Sequence, residues 1–378
     1  MPPQEPVSPG GIRLLQLFMS TAELLRRAGS RLGPLPSERG PVLAKFDRLL
    51  SSMLGVAGGA AAPGRTPVSC TPARAGIAAR ENDTRIRAGA QDPASARRVR
   101  LLSYNIQTGI ATCGYHHYVT HSWKHVFPHP ERVRNLNSIG RMIRDYDIVG
   151  LQEVDGGSLR SGFINQTEYL AEKAGFACWH AQTNRDFGAF AQHSIGLLSR
   201  MRPGEIVEHR LPGIIPGRGA LGARFEHGDS SLVVLILHLS LGRRARLRQL
   251  GYVSEIISGA PHVVLMGDLN CGSGSQEMRW LLRNTCLRDP LPDLCTFPSW
   301  RPLHNIDHIL VSPSLKVNTV EALNYPFSDH LPVAMEIELP ETLRFHPTPA
   351  QTAYALAPSM APAGICATAA VGHSGPSM

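Results

Sequence analysis

Residues 262–271, His-Val-Val-Leu-Met-Gly-Asp-Leu-Asn-Cys, constrain this chain more than any other stretch. Val263, Val264, Leu265 and Met266 follow one another with no polar break. Such a run is the mark of a strand buried on both faces, so something must cover it on each side. The run stops at Gly267, and Asp268 and Asn270 follow at a spacing of two. Residues i and i+2 of an extended chain point the same way, so both polar heads can face one pocket at the end of a rigid strand. A Gly-Asp-x-Asn segment is also a good turn, so its meaning depends on the remaining chain.

That chain is 378 residues long, enough for one large domain or two small ones. Its 30 Pro and 36 Gly are many for a compact body, which implies that part of the length is not folded core. The seven Cys are odd in number and irregularly spaced, without a C-x-x-C pair, which argues for free thiols in a reducing compartment and against a disulfide frame or zinc site. No apolar segment is long enough to span a bilayer, and no amino-terminal signal is evident. A cytoplasmic monomer is therefore expected, with peripheral membrane contact left open.

Residues 1–97 read as an extension. Two short helices are expected near 12–32 and 43–54, followed by a disordered Gly/Ala/Pro/Arg stretch. The extension carries much of the net charge of +8, which weakens any inference from charge to nucleic acid. It reads either as a membrane-surface or partner-binding arm or as a dispensable tail, the plainer alternative. Residues 98–340 alternate strands and helices and form one expected α/β domain, and 341–378 read as a disordered tail. Strands are expected near 99–106, 147–151, 177–181, 194–199, 205–210, 220–226, 232–237, 263–266, 305–312, 317–323 and 331–339. Helices are expected near 131–144, 167–174, 243–257 and 276–282.

Polar residues recur at one kind of place, the carboxyl end of an apolar strand or the loop just past it. They are Asn105, Glu153, His238, Asp268, Asn270, Asp307 and the pair Asp329-His330. In layered α/β folds such ends converge on a crevice. Asn105, Glu153 and Asp329 are oxygen donors, suited to a hard cation such as Mg²⁺ or Mn²⁺, and two His with a separate Asp suit proton transfer and phosphate binding. Taken singly, each residue has a structural reading as a cap, a turn or a satisfied core side chain.

Six segments carry a family resemblance: Ser103-Tyr-Asn105, Leu151-Gln-Glu-Val154, His238-Leu239, Gly267-Asp-Leu-Asn270, Ile306-Asp-His-Ile309 and Ser328-Asp-His330. Their order resembles the motifs of the endonuclease/exonuclease/phosphatase superfamily, with the deoxyribonuclease-I-like fold, over about residues 99–339. The resemblance implies a four-layer sandwich of two mixed sheets flanked by helices. It implies Glu153 as the central metal ligand, completed by Asn105 and Asp329. His330 would be the base or phosphate-facing His, oriented by Asp307. Asp268 would position or deprotonate water, and Asn270 and His238 would hold phosphoryl oxygens. Whether Asp268 or His330 takes the proton stays open at this level.

The implied activity is divalent-metal-dependent hydrolysis of a phosphodiester or phosphomonoester. The chain looks most like compact bacterial members, which ranks lipid-headgroup or small phosphodiester substrates above DNA or RNA. A catalytically silent binding module is the alternative of another class. Arg218 is a candidate grip for a second phosphate, and Tyr115, His117 and Tyr118 are candidates for substrate choice near the mouth. Arg224 reads better as surface charge or an internal pair. His117, His121, His125 and His129 are spaced by four, but surrounding Gly and Pro favour an irregular loop over a metal-binding helix. Arg243, Arg244, Arg246 and Arg248 read as a solvated helix face rather than a nucleic-acid track, although Arg at a helix start requires compensation. Deleting residues 1–95 is expected to leave kcat on a small substrate intact, and a large loss would place part of the catalytic unit in that segment.

Overall fold

A computed structural model describes residues 97–120, 122–125, 127–213, 217–345 and 354–355. The expectations for residues 1–96 and for the chain beyond 355 lie outside the described residues. Two sheets form the body. In the first, β1 (Arg98–Asn105) pairs in parallel with β2 (Ile148–Asp155), and β3 (Cys178–Asp186) and β4 (Gln192–Ser199) extend it on one side. The second sheet orders β5 (Glu205–Arg210), β6 (Gly219–His227), β7 (Ser230–His238), β8 (His262–Asp268) and β9 (Asp307–Val311). β10 (Lys316–Ala322) and β11 (Val333–Glu338) return to the first sheet, with β10 at its edge, and the two-residue β12 (Tyr354–Ala355) lies beside β3. Both sheets mix parallel and antiparallel pairs.

Four helices complete the layers. α1 (Pro130–Ile143) and α2 (Gln166–Ala174) cover the first sheet, and α3 (Arg243–Ile256) and α4 (Gln276–Asn284) cover the second. Their ends follow local chemistry. The Asn165 side chain accepts hydrogen bonds from Thr167 N and Glu168 N, and Ser275 accepts one from Met278 N.

The apolar run of β8 is explained by this layering. Val264 and Met266 point between the sheets, against Ile236, Leu197 and Met335, while Val263 and Leu265 point under α3 and α4. Both faces are dry, so no polar position is tolerated until the strand ends. The sheets also approach closely. A Cβ on Gly150 would lie 2.9 Å from the Met266 methyl. At Gly267, φ is +146° and a Cβ would fall 2.0 Å from the Leu237 carbonyl oxygen, so only glycine allows β7 and β8 to run together into the motif.

Three expectations are corrected. Core packing continues past residue 340, because Leu343 is buried between the sheets and Phe345 meets Phe225 edge-on. β2 continues through Gln152 and Glu153 to Asp155, with a bulge against β4 between Leu151 and Val154. Arg246 is not on a solvated face. It is fully buried and donates to Glu277 Oε1 through Nε at 3.1 Å and Nη2 at 2.7 Å. Glu277 also lies 3.9 Å from Arg243 and so supplies the compensation that the basic start of α3 requires. Arg244 and Arg248 are exposed, and Arg224 pairs with Glu205 at 3.2 Å.

Among the described residues, no helix is long and apolar enough to cross a membrane. The Arg246–Glu277 pair ties α3 to α4, and breaking one side leaves a buried charge. Glu277→Ala is expected to lower unfolding stability by about 3–5 kcal/mol in denaturant titration. A loss below about 1 kcal/mol would show that carbonyls or water satisfy Arg246 without Glu277.

Candidate active site

The expected strand-end residues meet at one mouth where both sheets finish. Asn105, Glu153, Asp329 and His330 arrive from the first sheet, and His238, Asp268, Asn270 and Asp307 from the second. All but Glu153 are buried, and the Glu153 side chain is 37% exposed. Glu153 sits in the β2 bulge with φ +55°, and Asn270 has φ +51°. A bulge re-aims its side chain, and a left-handed backbone at a non-glycine residue costs on the order of 1–3 kcal/mol, so surrounding structure must hold these two in place.

Asp268 is the point of convergence. Its Oδ1 accepts from Asn270 N at 2.9 Å, and its Oδ2 accepts from Asn105 Nδ2 at 3.1 Å. The Nε2 atoms of His238 and His330 stand 3.6 and 3.9 Å from that same Oδ2, too far for a hydrogen bond and close enough for a bridging oxygen. The Asn270 side chain donates to Leu239 O at 2.9 Å. Asp307 Oδ2 takes the other His330 nitrogen, Nδ1, at 2.8 Å and the Thr296 hydroxyl at 2.5 Å.

The two imidazoles are driven apart electrostatically. Burial alone would lower His330, but Asp307, Asp329 and Asp268 outweigh it, and its pKa lies well above the ordinary value. His238 is held well below, by burial and then by the positive charges of Arg218 and His330. Burial and the Asp307 carboxylate raise Asp268 to about 7, against the opposing pull of His330. The mouth thus favours the charged form of one imidazole and the neutral form of the other, with a carboxylate raised to about 7 between them.

The donor set suits a hard cation. Withdrawal from water and the facing Asp329 carboxylate raise Glu153, so two carboxylates repel each other where a cation would satisfy both. Asp307 Oδ1 is buried without a hydrogen-bond partner. Asp268, Asp307 and His330 also bring ligand atoms within 4.8 Å of one another, but His330 Nδ1 is engaged by Asp307, and a nitrogen-containing set suits a hard cation less well than an all-oxygen one. The oxygen set of Glu153, Asn105 and Asp329 is the better match for Mg²⁺ or Mn²⁺.

The substrate-side candidates separate. The Tyr118 hydroxyl donates to Asp329 Oδ2 at 2.8 Å and belongs to the site wall. Tyr115 stands one layer out, edge-on to Trp300 with centroids 5.2 Å apart. His117 turns into its own loop, where Nδ1 accepts from Cys113 N at 3.1 Å. Arg218 feels the charges of Glu153 and Asp268. Its guanidinium makes no hydrogen bond or ion pair among the described residues. His117, His125 and His129 do not share one helical face. His129 caps α1, and His125 lies within the electrostatic reach of Asp329 and Arg160, with its pKa lowered to about 4 chiefly by burial. His121 lies outside the described residues.

Sequence reasoning passed over residues 295–300. Thr296 holds Asp307, Phe297 lies against His330 with centroids 4.7 Å apart, and Trp300 backs Tyr115 and Tyr118. The only signal was a Thr-Phe-Pro-Ser-Trp cluster ahead of the Asp307 strand.

Residues 102–330 match the Endonuclease/Exonuclease/phosphatase family, and the chain belongs to it. Members of this family hydrolyse phosphoester bonds and are generally divalent-metal dependent. Among solved structures, the chain is similar to an endonuclease/exonuclease/phosphatase from Beutenbergia cavernae DSM 12333, with 22% identity and a TM-score of 0.51 over 65% of this chain and 72% of that one. It is also similar to a family protein from Bacteroides thetaiotaomicron, with 20% identity and a TM-score of 0.50 over 64% of this chain and 98% of that one. At such identities the likeness establishes the fold. No curated protein matches the sequence.

In chelator-treated protein, His330 is expected to stay protonated at about pH 7 in an NMR titration, and Asp307→Asn to bring its titration down toward about 6.5. Because the folded pKa is raised, the pair contributes stability in full below about pH 6.5 and loses it as pH rises through the folded value. The Tm gap between wild type and Asp307→Asn should therefore narrow at alkaline pH. A wild-type His330 that titrates in the ordinary range would contradict this assignment.

Proposed function

We propose that this chain is a Mg²⁺- or Mn²⁺-dependent phosphoesterase that cleaves a lipid-headgroup or other small phosphodiester by in-line attack of water. The observation that carries the reading is the Asp268 Oδ2 atom, ringed by Asn105 Nδ2 at 3.1 Å, His238 Nε2 at 3.6 Å and His330 Nε2 at 3.9 Å. The attacking water would donate to that carboxylate and accept from those nitrogens.

Glu153, Asn105 and Asp329 would hold the metal, which when bound supplies neutralising charge at the phosphoryl and leaving oxygens. Asp268, raised to about 7 by burial and by Asp307, orients the attacking water and accepts its proton. His330, whose charged form the facing Asp307 favours, serves as the donor to the phosphoryl group, held by Asp307. Neutral His238 and the Asn270 amide add donors without adding charge. Arg218 grips an outer oxygen, and Tyr118 fixes the Asp329 carboxylate.

The test is turnover of bis-p-nitrophenyl phosphate, a phospholipid panel and supercoiled plasmid, each with Mg²⁺ or EDTA. Small phosphodiester cleavage is expected, abolished by EDTA, with Asp268→Asn and His330→Ala each lowering kcat by about 10²–10⁴. Plasmid nicking that disappears in Asp268→Asn, without lipid cleavage, would make the enzyme a nuclease. No turnover of any substrate, with Glu153→Ala indistinguishable from wild type, would make it a silent binding module.

A further inference from the structure

Three phenylalanines stand out of the surface beside this mouth. Phe127, Phe163 and Phe190 are 55%, 65% and 67% exposed. They come from three separate segments: the loop before α1, the loop after the short helical turn Leu159–Ser161, and the β3–β4 hairpin. The segments touch. Leu159 N donates to Ala189 O at 2.7 Å and Arg160 N to Phe190 O at 3.4 Å, and a Cβ on Gly162 would lie 3.9 Å from Pro128 Cβ. The tips therefore form one rim of three loops.

The rim is rigidly mounted. Fully buried Asp155 accepts hydrogen bonds from Gly157 N, Ser158 N, Ser158 Oγ and Ser161 Oγ and pairs with Arg160 Nε at 2.5 Å. Arg160 in turn faces His193 Nε2 at 3.4 Å. Phe163 itself has φ +61°, a left-handed backbone that is an outlier for so bulky a residue. The strained residue presents its ring to solvent, so neither backbone preference nor burial accounts for a phenylalanine there.

Two neighbouring arginines connect the Phe190 hairpin with the carboxylate mouth, Arg185 on the hairpin and Arg218 within the field of Glu153 and Asp268. Arg185 shares the β3–β4 hairpin with Phe190 and lies over the Phe187 ring at 4.4 Å. A Cβ on Gly217 would lie 3.0 Å from Arg185 Cβ, which sets Arg218 beside it. Neither guanidinium has a carboxylate partner among the described ion pairs around them. Apolar tips on the outside, unpaired cations behind them and a phosphoester site behind those match the order of groups in an anionic phospholipid leaflet, from acyl chain to headgroup phosphate.

We propose that Phe127, Phe163 and Phe190 insert into the interface of an anionic phospholipid bilayer, with Arg185 and Arg218 meeting its phosphates, so that the active-site mouth opens onto the membrane. The proposal rests on the phosphoesterase reading only for why the rim borders this mouth, because vesicle binding is measured without turnover. Phenylalanine tips on convex loops fit a yielding lipid interface better than a base, which needs a stacking groove and a tracked backbone.

The test uses the full chain in chelator and co-sedimentation with vesicles of phosphatidylcholine alone or with phosphatidylserine. Wild type is expected to bind the phosphatidylserine vesicles, and the triple change Phe127→Ser, Phe163→Ser, Phe190→Ser to weaken that binding at least about ten-fold while cleavage of a soluble phosphodiester is unchanged. Arg185→Gln is expected to weaken binding to anionic vesicles and to leave any binding to phosphatidylcholine alone unaltered. Phe163→Gly separates docking from folding: it relieves the left-handed strain, so Tm should not fall although vesicle binding does. Equal vesicle binding by the triple variant and wild type, no vesicle binding at all, or binding of single-stranded RNA that depends on the three rings would each overturn the proposal.

Discussion

Face-to-face packing of the two sheets is the constraint on which the molecule depends. Ile236, Val264 and Met266 of one sheet interlock with Leu101, Leu197 and Met335 of the other. The helices seal the outer faces, which leaves the strand ends as the main place where polar groups can gather. Gly150 and Gly267 permit the approach, the first between sheets and the second between β7 and β8. The site's charge pattern is a product of that architecture. Carboxylates and imidazoles are carried into a poorly solvated mouth by strands whose interiors cannot accept them, and burial together with their mutual fields favours the charged form of His330 and the neutral form of His238.

Much of this was legible because strands buried on both faces write long apolar runs and end abruptly. The strands and the eight polar residues at their ends follow from runs such as 232–237 and 263–266 and from what stands after them, whereas the four-layer order came from the family resemblance. Features made by tertiary contact were not legible. Arg246 looks solvated beside three other arginines, and its partner Glu277 lies 31 residues away. The bulge that turns Glu153 into the site depends on pairing with β4, which no local pattern announces. Thr296 and Trp300 belong to no periodic element, so their contacts with the site follow from where the chain returns and not from local propensity.

The loop between Asn105 and α1 shows the same division at smaller scale. Its start just past Asn105 placed it at the mouth, and Tyr118 does reach Asp329. Position in the sequence could not say that His117 faces its own loop, or that His129 caps a helix, because both depend on single turns in an irregular path. In such loops, sequence position identifies the neighbourhood and backbone geometry assigns the tasks.

Two site hydrogen bonds cross from one sheet to the other: Asn105 to Asp268, and His330 to Asp307. The strand-end constellation therefore has no existence within either sheet alone. A slip of one layer by about one ångström along the line of the 2.8 Å His330–Asp307 contact would stretch it beyond hydrogen-bonding range while leaving the apolar interior nearly as well filled. Activity is consequently a finer gauge of layer registration than stability is. Heat, pressure or a crowded core substitution that lets the layers slip would silence the enzyme while it still looks folded by secondary structure.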